Sequence, residues 1–192
     1  MSRNIIATNY VSLDGVIEDP VGMENSGLGN WTGPFKRGSE GDKFKLDELS
    51  DSDAQIYGRR TYDGMAAVWP TLDDSNAFAK HMNAVPKYLA SRTIASPTWN
   101  NTHLLGKDLI QDVKNLKAQA GGNILIYGSA SIVHALMPHG LIDQFTLMVY
   151  PIVLGRGTKL FPDGTVARME LHETRQFSDG IMLMKYRRSG QT

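Results

Sequence analysis

Short apolar runs alternate along this chain with segments whose apolar residues recur at helical spacing. The series opens at Asn4 to Val11, where Ile5, Ile6, Tyr10 and Val11 favour extended backbone and Asp14-Gly15 supplies a turn. Ala54-Gln55-Ile56-Tyr57 predicts a buried strand ending at Gly58. The helix after it runs from Arg59 towards Ala67 and stops before Trp69-Pro70, because a residue preceding proline avoids helical backbone angles. Ser75 to Asn83 fits a further helix, and Pro86 to Ala90 a strand that runs into Ser91-Arg92-Thr93. Lys107 to Ala120 carries the clearest helical stripe, with Leu109, Ile110, Val113 and Leu116 on one face and Gly121-Gly122 as its stop. Next, Asn123-Ile-Leu-Ile-Tyr127 meets Gly128 and turns at once into helical spacing at Ile132, Val133 and Leu136, closed by Pro138 and Gly140. Gln144 to Tyr150 is too continuously apolar for a half-exposed strand and belongs mid-sheet. Arg168 to Phe177 and Ile181 to Arg188 flank Ser178-Asp179-Gly180, a hairpin turn by its residues.

One stretch breaks the alternation. Between Glu18 and Gly41 the glycines at 22, 27, 29, 33, 38 and 41, with Pro20 and Pro34, exclude a regular helix or central strand and predict a long loop suited to a lid. Asp42 to Leu49 then fits a short helix. The pattern predicts an α/β fold of three layers, with a mixed, mostly parallel central sheet and an antiparallel hairpin at its C-terminal end. With 192 residues, 41% hydrophobic, and neither an internal repeat nor a low-complexity linker, a single domain over 1–192 is expected.

Charge and residue usage then remove several functions. Lys+Arg and Asp+Glu are both 20, so no net field draws the chain to nucleic acid or an anionic membrane, and any anion must be bound locally. The absence of cysteine excludes disulfides and thiolate chemistry, and the five histidines show no metal-ligand spacing. No stretch approaches the roughly 20 apolar residues of a membrane span, and the N-terminus lacks a long apolar leader. A cytoplasmic protein is the expectation.

Three junctions carry the candidate chemistry: Gly58-Arg59-Arg60-Thr61, Ser91-Arg92-Thr93 and Gly128-Ser129-Ala130-Ser131. Each lies where a predicted strand runs out, and in an open α/β sheet ligands bind at the carboxyl ends of parallel strands. A strand-glycine-helix turn exposes backbone N–H groups to an anion, and arginine offers a planar charged fork for phosphate. Such junctions also serve simply to pack a helix back onto its sheet.

The order of several motifs is far more specific than any one of them. Ser-Leu-Asp-Gly at 12–15, Gly-Arg-Arg-Thr-Tyr at 58–62, Asn-Ile-Leu-Ile-Tyr-Gly-Ser at 123–129, Gly-Leu-Ile-Asp-Gln-Phe-Thr-Leu at 140–147 and Pro-Ile-Val-Leu-Gly-Arg-Gly-Thr-Lys-Leu-Phe at 151–161 together resemble the dihydrofolate reductase-like superfamily. The branch is similar to the C-terminal reductase domain of the bifunctional riboflavin-biosynthesis deaminase/reductase, whose deaminase half has no counterpart here. The resemblance implies NADPH as hydride donor and a small heterocyclic or ribosylamine-type substrate, with reduction of 5-amino-6-(5-phosphoribosylamino)uracil as the nearest specific reaction. By motif position, Arg59, Arg60 and Thr61 would bind cofactor phosphates, Ser91 and Arg92 the adenosine-ribose 2′-phosphate, and Gly128, Ser129, Ala130 and Ser131 the pyrophosphate. Ala7 and Ile17 would lie near the nicotinamide.

The chain departs from the pattern in two places. Many relatives have paired glycines where Gly128-Ser129 stands, so Ser129 is either a phosphate donor or a helix cap; Gln144 replaces an acid common in the family. For the proton donor, Asp42 has the place nearest to the pterin-binding carboxylate of dihydrofolate reductases, with Asp47 and Glu48 less well placed and a solvated helix face as the alternative for all three. Asp14 is a second catalytic and substrate candidate, against a simple Asp-Gly turn. Trp31 either covers substrate or anchors the long loop. A homodimer is expected from the Phe145 to Val149 run and the C-terminal strands. Two alternatives to the riboflavin-type reductase stand: a nucleotide-binding or sensory protein without turnover, and a reductase of dihydrofolate, pterin or another small molecule.

Overall fold

The computed structural model describes residues 3–189. Met1, Ser2 and 190–192, which the one-domain expectation includes, lie outside the described residues. Eight strands form one sheet: β1 (Ile5–Ser12), β2 (Ser52–Gly58), β3 (Lys87–Ala90), β4 (Thr102–Leu104), β5 (Asn123–Gly128), β6 (Gln144–Tyr150), β7 (Met169–Gln176) and β8 (Met182–Arg188). Their spatial order is β4-β3-β2-β5-β1-β6-β8-β7. From β4 to β6 every pairing is parallel, and β8 then runs antiparallel to both β6 and β7. The mixed, mostly parallel α/β sheet with its antiparallel end is therefore the fold the sequence pattern predicts.

Alternation along the strands divides the core. Ile5, Ala7, Ile124, Ile126 and Phe145 pack on one face against Val113 and Leu116 of α4 (Leu109–Ala118) and Ile132, Val133 and Leu136 of α5 (Ala130–Leu136). Ile6, Tyr57, Leu89 and Leu125 pack on the other against Leu49 of α1 (Gly38–Ser50), Tyr62 of α2 (Arg59–Val68) and Met82 of α3 (Ala77–Ala84). Successive strand residues point to opposite faces, so a strand covered on both sides must be apolar throughout. The Phe145–Val149 run, on which the homodimer expectation rests, lies inside this sheet between β1 and β8.

Two elements differ from the sequence expectation. Helix α1 begins at Gly38, inside the stretch expected to be loop. Its glycines answer close packing: a Cβ at Gly38 would stand 2.5 Å from Ser178 Oγ, and one at Gly41 would stand 2.7 Å from Arg37 Cβ. Strand β4 is only three residues long and pairs through Lys87, Tyr88 and Leu89 of β3. Three residues carry no periodicity to read.

Candidate functional site

The parallel strands β2, β3 and β5 finish at the same carboxyl end of the sheet, and the residues at and just beyond their ends line a groove of about 440 Å³. Its centre is the place where β2 and β5 finish side by side, with Tyr57 in register with Gly128. The two glycines there are required by each other's junction. A Cβ on Gly58 would lie 2.1 Å from Ser129 Oγ, and one on Gly128, whose φ is +149°, would lie 2.7 Å from Thr61 Oγ1. The two strand-glycine-helix turns are thus a single interlocked structure. Gly58 occupies the N-cap of α2 without a side-chain cap, so the first N–H groups of that helix are left for the groove.

The arginines expected around this point are present but differ in how they are held. Arg59 donates to Asp63 and, at 2.9 Å, to Thr93 Oγ1. Arg60 and Arg92 line the groove, are exposed, and have no ion pair among the described residues. Ser91 Oγ accepts the backbone N–H groups of Thr93 and Ile94, which shapes the turn that carries Arg92. Ser129 sits at the N-cap of α5 yet makes no capping bond; its hydroxyl lies 2.6 Å from that of Ser131. Gly128, Ser129, Ala130 and Ser131 all line the groove. Ala7 does not: it is fully buried in β1, in register with Ile126 and Phe145.

The segment from Leu13 to Arg37 forms the outer wall and is tied down at several points. Ile17 donates to Thr158 O, Leu160 N–H reaches Gly15 O, and Glu18 Oε2 accepts both the N–H and the hydroxyl of Thr158. Asp19 is almost wholly buried and accepts from Glu24 N, Ser26 N and Ser26 Oγ. This turn presents Glu24 to the groove, where its carboxylate accepts from Thr61 Oγ1 at 2.7 Å. Burial, partly offset by that hydroxyl, pushes the Glu24 carboxyl above its ordinary range. An acid therefore stands beside the arginines and the α2 N-terminus.

Ile17, Pro20, Val21, Met23, Met65 and Tyr127 also line a second compartment of about 280 Å³, which continues the groove over the α1 and α3 side of the sheet. Its polar end is built by Thr8, Tyr10, Arg37 and Lys45. Lys45 Nζ donates to Thr8 Oγ1 at 2.9 Å and to Glu48 Oε2, and Thr8 Oγ1 bridges to the same carboxylate oxygen at 2.9 Å. Both charged side chains are buried, at 9% and 8% exposure, and the ammonium lies between the Tyr10 and Tyr127 rings at 5.7 and 5.6 Å from their centroids. Burial, then the Glu48 carboxylate, holds the Tyr127 phenol protonated far above its ordinary range.

Asp14, Asp42 and Trp31 line neither compartment. Asp14 accepts from Ser12 Oγ at 2.6 Å, Leu154 N at 3.1 Å and Gly155 N at 2.7 Å, and these bonds, the Ser12 hydroxyl first, draw its carboxyl down to about 2. It clasps the end of β1 to the 154–155 turn. Asp42 is exposed and pairs with Arg37 at 2.6 Å. Trp31 is buried against Tyr150, and its indole N–H donates to Glu18 O at 2.9 Å, so it anchors the long segment to the core.

Sequence reasoning passed over Lys45 and Glu24 and ranked Glu48 below Asp42. The signal for α1 was present: Gly41, Phe44, Lys45, Glu48 and Leu49 share one face at i, i+3, i+4, i+7 and i+8, while Asp42 and Asp47 point away. No local signal marks Glu24, because its placement depends on Asp19.

The fold agrees with that of known proteins. The family described as the RibD C-terminal domain matches residues 3–183. The chain is 30% identical to the uncharacterized protein YyaP of Bacillus subtilis strain 168, over 98% of this chain and 96% of that protein. It is 27% identical to the uncharacterized protein YwjB of the same organism, over 95% and 97%. Two solved structures share the fold. One is described as a riboflavin biosynthesis protein from Shewanella sp. PV-4, with a TM-score of 0.74 at 21% identity over 98% of this chain and 99% of the other. The other is a pyrimidine reductase-like protein from Corynebacterium diphtheriae, with a TM-score of 0.61 at 14% identity over 96% and 91%. A match across nearly the whole chain, with a relative of full length, places this protein in the RibD C-terminal domain family.

Proposed function

We propose that the protein is an NADPH-dependent reductase that passes hydride to a C=O or C=N carbon of a small acceptor. Membership of the RibD C-terminal domain family supports the reductase class. The observation that carries the reading is the groove lined by the uncapped start of α2 at Arg59–Thr61 and by the 128–131 turn, with Arg60 and Arg92 beside it and in no ion pair among the described residues. These residues fit a phosphorylated dinucleotide: Arg60 and the α2 N-terminus would hold phosphate oxygens, the 128–131 turn would hold the pyrophosphate, and Arg92 would read a 2′-phosphate. When bound, such a cofactor supplies hydride from its nicotinamide ring. The chain's own residues position the acceptor, exclude water and deliver the proton.

Ile17 and Tyr127 border both compartments, so in this reading donor and acceptor would meet beside them. The reaction nearest by resemblance, reduction of 5-amino-6-(5-phosphoribosylamino)uracil, puts a phosphate on the acceptor and so asks for a spare cation beside it. A second reading, a nucleotide-binding protein without turnover, is favoured by the position of Asp14 and Asp42 outside the cleft. Calorimetric titration with NADPH, followed by absorbance at the reduced nicotinamide band with candidate acceptors, separates the readings. Binding at one site per chain with oxidation is expected; binding without oxidation by any acceptor favours the second reading, and no binding rejects both.

A further inference from the structure

We propose that the second compartment takes an uncharged, largely apolar carbonyl compound without phosphate, and that Lys45 is the group that binds and protonates its oxygen. This rests on the reductase reading above and names its substrate class. Two cations line the compartment, and each already has a carboxylate partner, Arg37 with Asp42 and Lys45 with Glu48. Among the described residues no carboxylate lines it and no cation is left over, so its polar end is electrically balanced. A phosphate placed there would lose its hydration without gaining a counter-ion, a large cost in a partly enclosed site.

The walls point the same way. Leu49, Met65, Phe78 and Met82 from α1, α2 and α3, with Trp69 and Leu72 from the segment that links α2 to α3, make the far side apolar. A ribosyl phosphate offers nothing to such a wall, whereas a ring or alkyl body gains about 25 cal/mol for each Å² it buries. The volume of about 280 Å³ suits a compact molecule of one or two rings.

Lys45 fixes the orientation. An ammonium has three N–H donors, and Thr8 and Glu48 take two of them. The third has no partner among the described residues and belongs to the side chain that lines the compartment. A neutral carbonyl oxygen accepts this donor, while an iminium would be repelled by it. In the step, the carbonyl carbon takes hydride from a dihydronicotinamide and the oxygen takes a proton from Lys45 Nζ. The C=O double bond becomes CH–OH, the dihydronicotinamide is oxidised, and the neutral Lys45 amine recovers a proton from water.

The test uses the full chain without cofactor and follows binding of the bicyclic aryl ketone 1-tetralone by saturation-transfer NMR and calorimetry. The ketone is expected to bind with a Kd of about 1 mM or tighter, a reasonable affinity for its size. Naphthalene, which lacks the oxygen, should bind about tenfold more weakly. Because Lys45→Met alone strands Glu48, the variant used is Lys45→Met with Glu48→Gln, its folding checked by thermal melting. In it the ketone should fall to the affinity of naphthalene while naphthalene itself is unchanged, an outcome a purely structural lysine does not produce. Ribose 5-phosphate should fail to displace 1-tetralone from the wild type. Displacement by ribose 5-phosphate, absence of ketone binding, or turnover of 5-amino-6-(5-phosphoribosylamino)uracil would each overturn the assignment. NADPH is titrated separately: ketone binding without NADPH binding rejects the reductase reading and supports the ligand class, and NADPH binding without ketone binding rejects the ligand class alone.

Discussion

The two halves of the cleft use positive charge in opposite ways. In the groove, Arg60 and Arg92 are exposed and unpaired among the described residues, set beside the open N-terminus of α2. In the adjoining compartment, Lys45 is buried and locked to Glu48, and Arg37 is paired with Asp42. An unpaired cation at a solvated edge attracts an anion at little desolvation cost; a buried, paired cation acts as a fixed donor and holds shape. Under the proposed function, the carboxyl end of the sheet would bring a phosphorylated cofactor and an uncharged acceptor side by side.

Breaking the buried pair should have the largest effect. Lys45→Met leaves Glu48 with only Thr8 as partner and should lower unfolding stability by about 3–5 kcal/mol, as removal of one member of a buried ion pair does. Adding Glu48→Gln should restore most of this in a urea melt. If the single variant is as stable as the wild type, the pair is not buried in solution as described.

On the groove side, Arg60→Ala should weaken NADPH binding by about tenfold, the equivalent of one charge-assisted hydrogen bond, with little change in stability because the side chain is exposed. Raising salt should weaken NADPH binding in the wild type and leave 1-tetralone binding unchanged, since only the groove relies on exposed charge. Equal salt sensitivity of the two ligands would erase the contrast.

Glu24 sharpens the comparison from the other side. Its carboxylate lies among the groove's donors and accepts from Thr61. Glu24→Gln removes a negative charge while keeping an acceptor for that hydroxyl, so NADPH affinity should rise by a factor of about 2–5. A fall in affinity would mean that Glu24 contributes to cofactor recognition instead of opposing the phosphates.

The smallest effect concerns Asp14, which lies outside both halves and fastens their outer wall. Hydrogen bonds hold its carboxyl at about 2, below the ordinary range, so the clasp contributes stability above about pH 4 and loses it as pH falls towards 2. Wild-type stability should therefore decline more steeply than that of Asp14→Asn between these values. Parallel acid profiles for the two proteins would show that the clasp carries no linkage.

How much of this contrast the sequence reveals depends on range. The Gly58 and Gly128 junctions are legible because a strand, a glycine and a helix follow one another within a few residues, and the groove residues 59–61, 91–92 and 128–131 converge as their strand ends predict. That each glycine is demanded by the other junction is not legible, since Thr61 and Ser129 meet them across a parallel strand pair. Asp14 shows the same limit: an Asp-Gly pair reads as a turn or a site, and the choice is made by backbone donors 140 and 141 residues away. Asp42 and Glu48 lie on one short helix, and only its inward face at 41, 44, 45, 48 and 49 tells which acid is buried. The glycines of 38–41 conceal that face by resembling loop.

Whether the groove is an anion site for a 2′-phosphorylated dinucleotide is decided by a calorimetric comparison of NADPH with NADH. The wild type should bind NADPH at least about tenfold more tightly than NADH, and Arg92→Ala should bring the two affinities together by weakening NADPH alone. Equal affinities in the wild type, or a preference that survives Arg92→Ala, would contradict that assignment.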